Sequence, residues 1–341
     1  MTRVRLTGAG ARRVRTVAVM LALAVVGWFL VRSVGAQWAQ FRIAATALRP
    51  RWSLVAAASV LVLATYALLV QSWRALVAGW GGRVPYWAGV RIWTVSNLAR
   101  YVPGTLWTVG AMGVLAERAG VPPAAAAGAA VLNTLLNLAA GFVVLAVSGG
   151  EYVGRLVPGL SHPRAVGAGL GLAGAIALPL CLPYVTALAA RVLRRDAPPP
   201  LRSRAFVAAF AANLLAWLSY GLAFGWFARA LLPSAGDNWA GYVAVFTGSY
   251  IVGFLALLAP GGLFVRETAM IVALTSTRMA SPADAAVLAA ASRLWLTALE
   301  ILPGLTFLAA GAFGRPTARA DARRAPDASA PRRVPDRPSA H

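Results

Sequence analysis

The segment Leu257–Thr268 reads LLAPGGLFVRET and lies inside a long apolar run. A helix that crosses lipid satisfies its backbone hydrogen bonds internally, so the Pro-Gly-Gly sequence at 260–262 interrupts that pattern where no water can replace the lost bonds. Arg266 and Glu267 follow directly, and a charge inside the membrane costs about 2.5–3.5 kcal/mol on insertion scales. The segment predicts a functional break in a membrane-embedded helix. The alternative is a loop between two helices, with both charges at the lipid interface.

A similar break occurs upstream in NLARYVPGTLW, residues 97–107, where Pro103 and Gly104 interrupt another apolar run. Each break is followed by a helix that opens with a Pro-Ala pair, at 123 and at 282. The two breaks are separated by nearly the same number of residues as the two Pro-Ala pairs. This indicates an internal repeat, with pseudo-repeats at about 88–148 and 239–313, as in many transporters. Low complexity in an Ala-rich chain can imitate such a repeat.

The composition assigns the chain to the membrane. Of its 341 residues, 59% are hydrophobic and 12% are charged, which excludes a soluble globular protein. The 32 basic residues are all Arg and concentrate in the N-terminal segment, short loops and the tail, a distribution typical of the positive-inside rule rather than of nucleic-acid binding. The single Cys181 permits no intramolecular disulfide, and no nucleotide, zinc or kinase motif is present. We therefore expect neither an enzyme nor a cofactor.

We predict an all-α polytopic membrane protein with six to eight transmembrane helices. Residues 1–16 are expected to form a basic cytoplasmic segment, 17–313 the transmembrane domain, and 315–341 a disordered cytoplasmic tail. The first apolar stretch, 17–31, resembles a signal anchor, and a cleaved signal peptide is the alternative. Besides the two interrupted runs, at 88–116 and 239–277, the hydropathy predicts a loop at 149–164 and spans at 52–76, 124–147, 165–188, 205–232 and 285–313.

The positive-inside rule favours six spans over eight. If both interrupted runs crossed the membrane, the Arg-rich loop 191–204 would lie outside. If both are re-entrant, the N terminus, that loop and the C terminus all lie in the cytoplasm, although Arg42, Arg49 and Arg51 then lie outside. The two hairpins would open to opposite sides of the membrane, which is the inverted-repeat arrangement of alternating-access transporters.

Polar residues inside the predicted spans mark a candidate site. Arg293 and Glu300 share one face of the last span, and Asn133 and Asn137 share one face of an earlier span. The repeat matches Asn133 with Arg293 and Asn137 with Thr297. Arginine forks bind phosphate well, so an anionic phospholipid headgroup is the expected ligand. We predict a polar cavity at the membrane midplane, lined by Asn133, Asn137, Arg266, Glu267, Arg293 and Glu300.

A structural role is the alternative for these charges. Arg266 with Glu300, or Arg293 with Glu267, would then form ion pairs that hold helices together. The two interpretations overlap, because an anionic ligand can loosen a structural ion pair.

The two broken segments resemble the hallmark segments of the lysylphosphatidylglycerol synthase transmembrane-region family, which are flippase-like integral membrane proteins. The resemblance covers most of residues 15–313. The family's tyrosine-x-proline-glycine-x-x-tryptophan segment is matched by Tyr101, Pro103, Gly104 and Trp107. Its proline-glycine-x-glycine-x-x-arginine-glutamate segment is matched by Pro260, Gly261, Arg266 and Glu267. The family's second glycine is displaced or replaced here, because the intervening residues are Gly262, Leu263 and Phe264.

The resemblance implies a lipid flippase of a bacterial-type plasma membrane, without the fused aminoacyl-transferase domain of some family members. Its expected breaks, which would open the cavity, are Tyr101, Pro103, Gly104, Pro260, Gly261 and Gly262. The lipid, the direction of movement, the energy coupling and the oligomeric state stay open. One alternative is a membrane-embedded lipid or polyprenyl-phosphate transferase, whose candidate acids are scattered at Asp196, Asp237 and Asp284. The other is an accessory membrane subunit that recruits a partner.

Overall fold

The computed structural model describes residues 50–101, 107–156, 201–255 and 264–313, together with scattered residues between 162 and 184. The N-terminal segment 1–16, the predicted span 17–31, most of the predicted span 165–188 and the tail 315–341 lie outside the described residues. The same is true of most predicted break residues, namely Pro103, Gly104, Pro260, Gly261 and Gly262. Tyr101 is described as the last residue of a short 3-10 helix.

The regular structure of the described residues is entirely helical, with no β-strand among them. Segments of four helices are long and apolar enough to cross a membrane. These four coincide with the spans predicted to begin at 52, 124, 205 and 285, and the predicted all-α membrane class is confirmed at this level. The helices are α1 (Trp52–Gly79), α2 (Tyr86–Asn97), α3 (Trp107–Arg118), α4 (Pro123–Leu156), α5 (Ser203–Leu231), α6 (Trp239–Leu255), α7 (Val265–Ser276) and α8 (Pro282–Phe313), and the 3-10 helix Leu98–Tyr101 follows α2.

Each interrupted run contains a pair of shorter helices. The first run contains α2 and α3, with 12 residues each, and the second contains α6 with 17 and α7 with 12. A 12-residue helix is about 18 Å long, which is well short of the roughly 30 Å of a bilayer's hydrocarbon core. The two helices of each pair contact each other. Among the described residues, neither pair therefore contains a helix as long as α1 or α5, and only α6, at about 25 Å, approaches the length of a membrane span.

Helix α4 is longer than predicted. The sequence predicted a loop from residue 149, but α4 continues through Gly149 and Gly150 to Leu156. The glycines serve close packing rather than a turn: a Cβ at Gly149 would lie 3.1 Å from the Cβ of Ala244 on α6. The loop prediction for 149–156 is therefore wrong, because glycine at a helix crossing and glycine at a turn look alike in sequence.

Helices α1 and α5 form an antiparallel pair with the most extensive helix contact in the described residues. At one end, the backbone N–H of Arg51, just before α1, donates to the carbonyl of Ala230 at 3.0 Å. At the other end, a Cβ at Gly79 would lie 2.5 Å from Leu201 Cδ1, just before α5. The start of each helix therefore meets the end of the other.

The remaining helix contacts follow the same pattern in the two halves of the bundle, which are α1–α4 and α5–α8. Helix α4 packs on α3 of its own half and on α6 of the other half. Helix α8 likewise packs on α7 of its own half and on α2 of the other half. The repeated contact pattern thus includes α1 and α5, which precede the predicted pseudo-repeats at 88–148 and 239–313.

Small residues set the distance between neighbouring helices. A Cβ at Gly221 of α5 would lie 2.5 Å from the backbone Cα of Val243 on α6, and a backbone atom cannot turn aside as a side chain can. A methyl group there must separate the two helices.

We expect Gly221→Ala to lower the free energy of unfolding by about 1–3 kcal/mol, the range measured for overpacked cores. Gly110→Ala is the matched control, because Gly110 is an exposed helical glycine and a methyl group added to it would have no atom within 4 Å. That control should stabilise its helix by about 0.5–1 kcal/mol through helix propensity. Equilibrium unfolding in mixed micelles measures both values. Equal stabilisation by the two substitutions would contradict the predicted helix spacing.

Candidate functional site

The candidate site is built around the first turn of α7. Phe264, directly before the helix, has φ 65° and ψ −38°, a conformation that bulky residues rarely adopt. Backbone strain of this kind concentrates at functional sites, where the surrounding structure maintains it. The next turn carries Arg266 and Glu267, which are only 4% and 8% exposed. Two adjacent charged side chains are thus withdrawn from solvent where α7 begins.

Arg266 lies against a surface provided by α6. Its guanidinium carbon is 4.1 Å from the ring centroid of Tyr250 and 5.6 Å from that of Phe246. Gly253, one turn after Tyr250, leaves room for this arrangement, because a Cβ there would lie 2.8 Å from the Cβ of Arg266. Stacking on ring faces stabilises the cation and leaves the N–H groups at its edge available. Arg266 Nη2 is buried and has no hydrogen-bond partner.

Glu267 faces α8, where Arg293 supplies its counter-charge. Arg293 Nε lies 3.7 Å from Glu267 Oε1, and each side chain is 10% exposed. Neither carboxylate oxygen of Glu267 accepts a hydrogen bond. At 3.7 Å the contact is electrostatic and too long for a good hydrogen bond. Glu267 is therefore neutralised by charge while both of its oxygens keep their capacity to accept hydrogen bonds.

Glu300 completes the charged cluster on α8. The Tyr250 hydroxyl lies 3.5 Å from Glu300 Oε1, so the same tyrosine contacts Arg266 with its ring and Glu300 with its oxygen. Arg266 interacts electrostatically with Glu267, Glu300 and Arg293. We call Arg266, Glu267, Arg293 and Glu300 the charged cluster. It contains two cations and two anions, and its formal charge is zero.

The Arg293–Glu267 pair, one of the two ion pairs that the sequence suggested, is formed. Arg266 and Glu300, the other suggested pair, meet through Tyr250, which contacts both of them. The structure therefore contains both an ion pair that joins α7 to α8 and an arginine with an unbonded Nη2 group.

The asparagines Asn133 and Asn137 of α4 belong to a different set of contacts. Ser72 Oγ of α1 donates to Asn133 Oδ1 at 2.6 Å. Asn213 Nδ2 of α5 donates to Asn133 Oδ1 at 3.1 Å and to Ser72 Oγ at 3.0 Å, and Asn137 Nδ2 donates to Asn213 Oδ1 at 2.8 Å. We call these four residues the asparagine network. Its side chains bond to one another and join three long helices.

An aromatic contact separates the two sets. Trp217 of α5 donates through Nε1 to the carbonyl of Asn137 at 2.8 Å, and its ring lies edge-on to Tyr250, with centroids 5.8 Å apart. Tyr250 in turn stacks on Arg266. The six residues predicted to line one cavity therefore belong to two polar clusters, and Trp217 and Tyr250 lie between these clusters.

Sequence reasoning missed Tyr250, Phe246 and Asn213. A second repeat signal points to the first two: WTVSN at 93–97 and FTGSY at 246–250 share an aromatic residue, a threonine and a serine at matching positions. All three hydroxyl-bearing or amide positions of the first segment are buried, and Ser96 Oγ and Thr247 Oγ1 have no hydrogen-bond partner. Comparing the two runs residue by residue would therefore have marked α6 as part of the site.

Comparison with known proteins adds no identification. No family model matches the chain, and no curated protein matches it.

Proposed function

We propose that this protein moves a lipid with a charged headgroup between the two leaflets of a membrane. The observation that carries the proposal is the charged cluster, in which Arg266 and Glu267 are buried beside each other with unused hydrogen-bonding capacity. Buried polar groups in folded proteins are almost always bonded, so each exception calls for an explanation. A ligand that brings its own donors and acceptors is such an explanation.

The position of the cluster favours a phosphate-containing headgroup. The N-terminal end of a helix carries partial positive charge and free N–H groups, and α7 begins at Val265, next to Arg266. The guanidinium of an arginine at such a position can donate two parallel hydrogen bonds to two phosphate oxygens. Arg293 forms its ion pair with Glu267, the residue next to Arg266. Arg266 would bind the phosphate directly. Arg293 would act indirectly, because a ligand that changes the charge around Glu267 changes the strength of the Arg293–Glu267 ion pair.

The repeated contact pattern of the helices supports an alternating-access mechanism. Helices α1 and α5 are antiparallel, and the contacts of α2–α4 recur among α6–α8. Two halves related in this way, with opposite orientation, are the architecture that lets a central site open to each side in turn. We propose that α2 with α3, and α6 with α7, are re-entrant hairpins of an inverted repeat, in a protein with six spans.

The sequence resemblance to flippase-like lysylphosphatidylglycerol synthase transmembrane regions supports the same proposal. Its arginine-glutamate motif corresponds to Arg266 and Glu267, the two residues with the unbonded groups. The proposed location is a bacterial-type plasma membrane, as the resemblance implies, with both termini in the cytoplasm, as the positive-inside rule favours. The breaks between the hairpin helices would act as hinges.

The contacts of two of its three candidate acids disfavour the transferase alternative, and the third, Asp196, lies outside the described residues. Asp237 pairs with Arg229 at 2.6 Å and is 75% exposed. Asp284 accepts from the hydroxyl of Ser281, and its backbone N–H donates back to that hydroxyl, which is the arrangement of a helix cap. Both carboxylates have structural partners away from the charged cluster.

Lipid movement in liposomes tests the proposal. The purified protein is reconstituted with a phospholipid that is labelled on its acyl chain, and an impermeant reductant reports how fast labelled lipid reaches the outer leaflet. We expect Arg266→Gln to slow this movement about 10-fold or more, the loss that accompanies one charge-assisted hydrogen bond. Arg293→Gln should slow it as well, because Glu267 then loses its counter-charge beside the site.

Arg118→Gln is the matched control, because Arg118 is exposed on α3. It should leave the rate unchanged. If both cluster variants move lipid as fast as the wild type, the headgroup-site proposal is wrong.

A further inference from the structure

The unused hydrogen-bonding groups of the charged cluster differ in kind. Arg266 Nη2 is an unpaired donor, whereas Glu267 Oε1 and Oε2 are unpaired acceptors. The two residues are consecutive in the first turn of α7. A purely anionic headgroup would satisfy Arg266 and leave the two oxygens of Glu267 without a donor. A purely cationic headgroup would do the reverse.

We infer that the site recognises a zwitterionic headgroup with a phosphate and a primary ammonium group, as in phosphatidylethanolamine. The inference rests on the proposed function, since it assigns the substrate class of that same site. The phosphate oxygens accept from the edge of Arg266. The ammonium group donates to the carboxylate of Glu267.

The charge of the cluster supports a ligand without net charge. Arg266, Arg293, Glu267 and Glu300 together are formally neutral, and three of the four side chains are buried. Burying a net charge in a low-dielectric interior is costly unless it is paired. A headgroup with one phosphate and one ammonium keeps the site neutral, whereas phosphatidylglycerol would add one negative charge.

The chemistry also distinguishes ethanolamine from choline. A primary ammonium offers three N–H donors, as the lysine side chain does. A quaternary ammonium has no N–H and is usually recognised by aromatic faces. The aromatic faces of the cluster, on Tyr250 and Phe246, are already occupied by Arg266. The site therefore offers a carboxylate to a primary ammonium and no aromatic cage to choline.

Binding measured in detergent tests the inference separately from transport. The solubilised full chain is titrated with short-chain phosphatidylethanolamine, phosphatidylcholine and phosphatidylglycerol, and with free phosphoethanolamine. We expect the ethanolamine lipid to bind about tenfold more tightly than either of the other lipids, the ratio that one charge-assisted hydrogen bond provides. Glu267→Gln should remove this preference chiefly by weakening the ethanolamine lipid, and the exposed control Glu117→Gln should keep it.

If Glu267→Gln does not fold, the titrations of the wild-type protein with the four ligands still test the inference. Equal binding of phosphatidylglycerol and phosphatidylethanolamine overturns the zwitterion inference, and lipid movement that still depends on Arg266 leaves the proposed function standing. Phosphoethanolamine that binds as tightly as its lipid supports the headgroup chemistry and overturns a lipid as its source. If none of the four ligands binds, the inference is wrong, and unchanged lipid movement in the Arg266 and Arg293 variants would show that the proposed function has failed as well.

Discussion

Arg293→Ala is expected to lower the free energy of unfolding by about 3–5 kcal/mol, the cost of removing one partner from a buried ion pair. The substitution leaves Glu267, which is 8% exposed and accepts no hydrogen bond, without the counter-charge 3.7 Å away. Water cannot easily replace that charge at a buried position. The free energy is measured by equilibrium unfolding in mixed micelles.

A double substitution separates the stranded charge from lost packing. In Glu267→Gln/Arg293→Gln, both charges are absent, residue 267 keeps its size, and residue 293 keeps a polar side chain that is shorter than arginine. Replacing a buried ion pair as a unit is often close to neutral, so we expect the double variant to recover most of the stability lost in Arg293→Ala. A double variant as unstable as Arg293→Ala would mean that the ion pair does not account for the loss.

The exposed pair Arg229–Asp237 provides the comparison for this effect. Its atoms are 2.6 Å apart, closer than those of the buried pair, but the two side chains are 34% and 75% exposed. Exposed pairs contribute at most about 1 kcal/mol because solvent screens them. Asp237→Asn should therefore change stability much less than Arg293→Ala, despite the shorter distance.

Asn213→Leu is expected to lower the free energy of unfolding by about 2–4 kcal/mol. Asn213 is fully buried, donates to Ser72 and Asn133, and accepts from Asn137. Interhelical hydrogen bonds in membrane proteins contribute about 0.6 kcal/mol on average and up to about 1.7 kcal/mol each. The leucine also leaves Asn137 Nδ2 on α4 without the acceptor that Asn213 Oδ1 provided, which adds a desolvation cost.

The control for this prediction is Thr134→Val on α4. The Thr134 hydroxyl donates to the carbonyl of Ala130 in its own helix, at a more exposed position. Its loss should change stability by less than about 0.5 kcal/mol. Removing the whole network at once, with Ser72→Ala, Asn133→Leu, Asn137→Leu and Asn213→Leu, should cost less than the sum of the single substitutions, because no network partner is then left unbonded. Additive losses would contradict the network.

Substitutions in the asparagine network and in the charged cluster should also have different effects on stability and on headgroup preference. Asn213→Leu is expected to lower stability while the preference for an ethanolamine headgroup remains, because Asn213 lies beyond Trp217 from the charged cluster. Glu267→Gln should show the opposite combination in the titration described above.

Much of the fold could be predicted from the sequence because hydropathy is a local property. The long apolar runs predicted α1, α4, α5 and α8 to within a few residues at most ends, and the charges on α7 and α8 were recognised from their unusual surroundings. The end of α4 was missed because Gly149 packs against another helix, which its own sequence neighbours do not reveal. The breaks themselves, between Tyr101 and Trp107 and between Leu255 and Phe264, remain predictions from the sequence.

Only the tertiary structure decided which buried polar groups meet. The sequence indicated that Asn133 and Arg293 occupy matching places in a repeat, yet Asn133 bonds to Ser72 and Asn213 while Arg293 pairs with Glu267. Periodicity within one helix determines the face on which a polar group lies. Its partner depends on how closely the helices cross, and those distances are set by residues such as Gly221 and Gly253, far away in the chain.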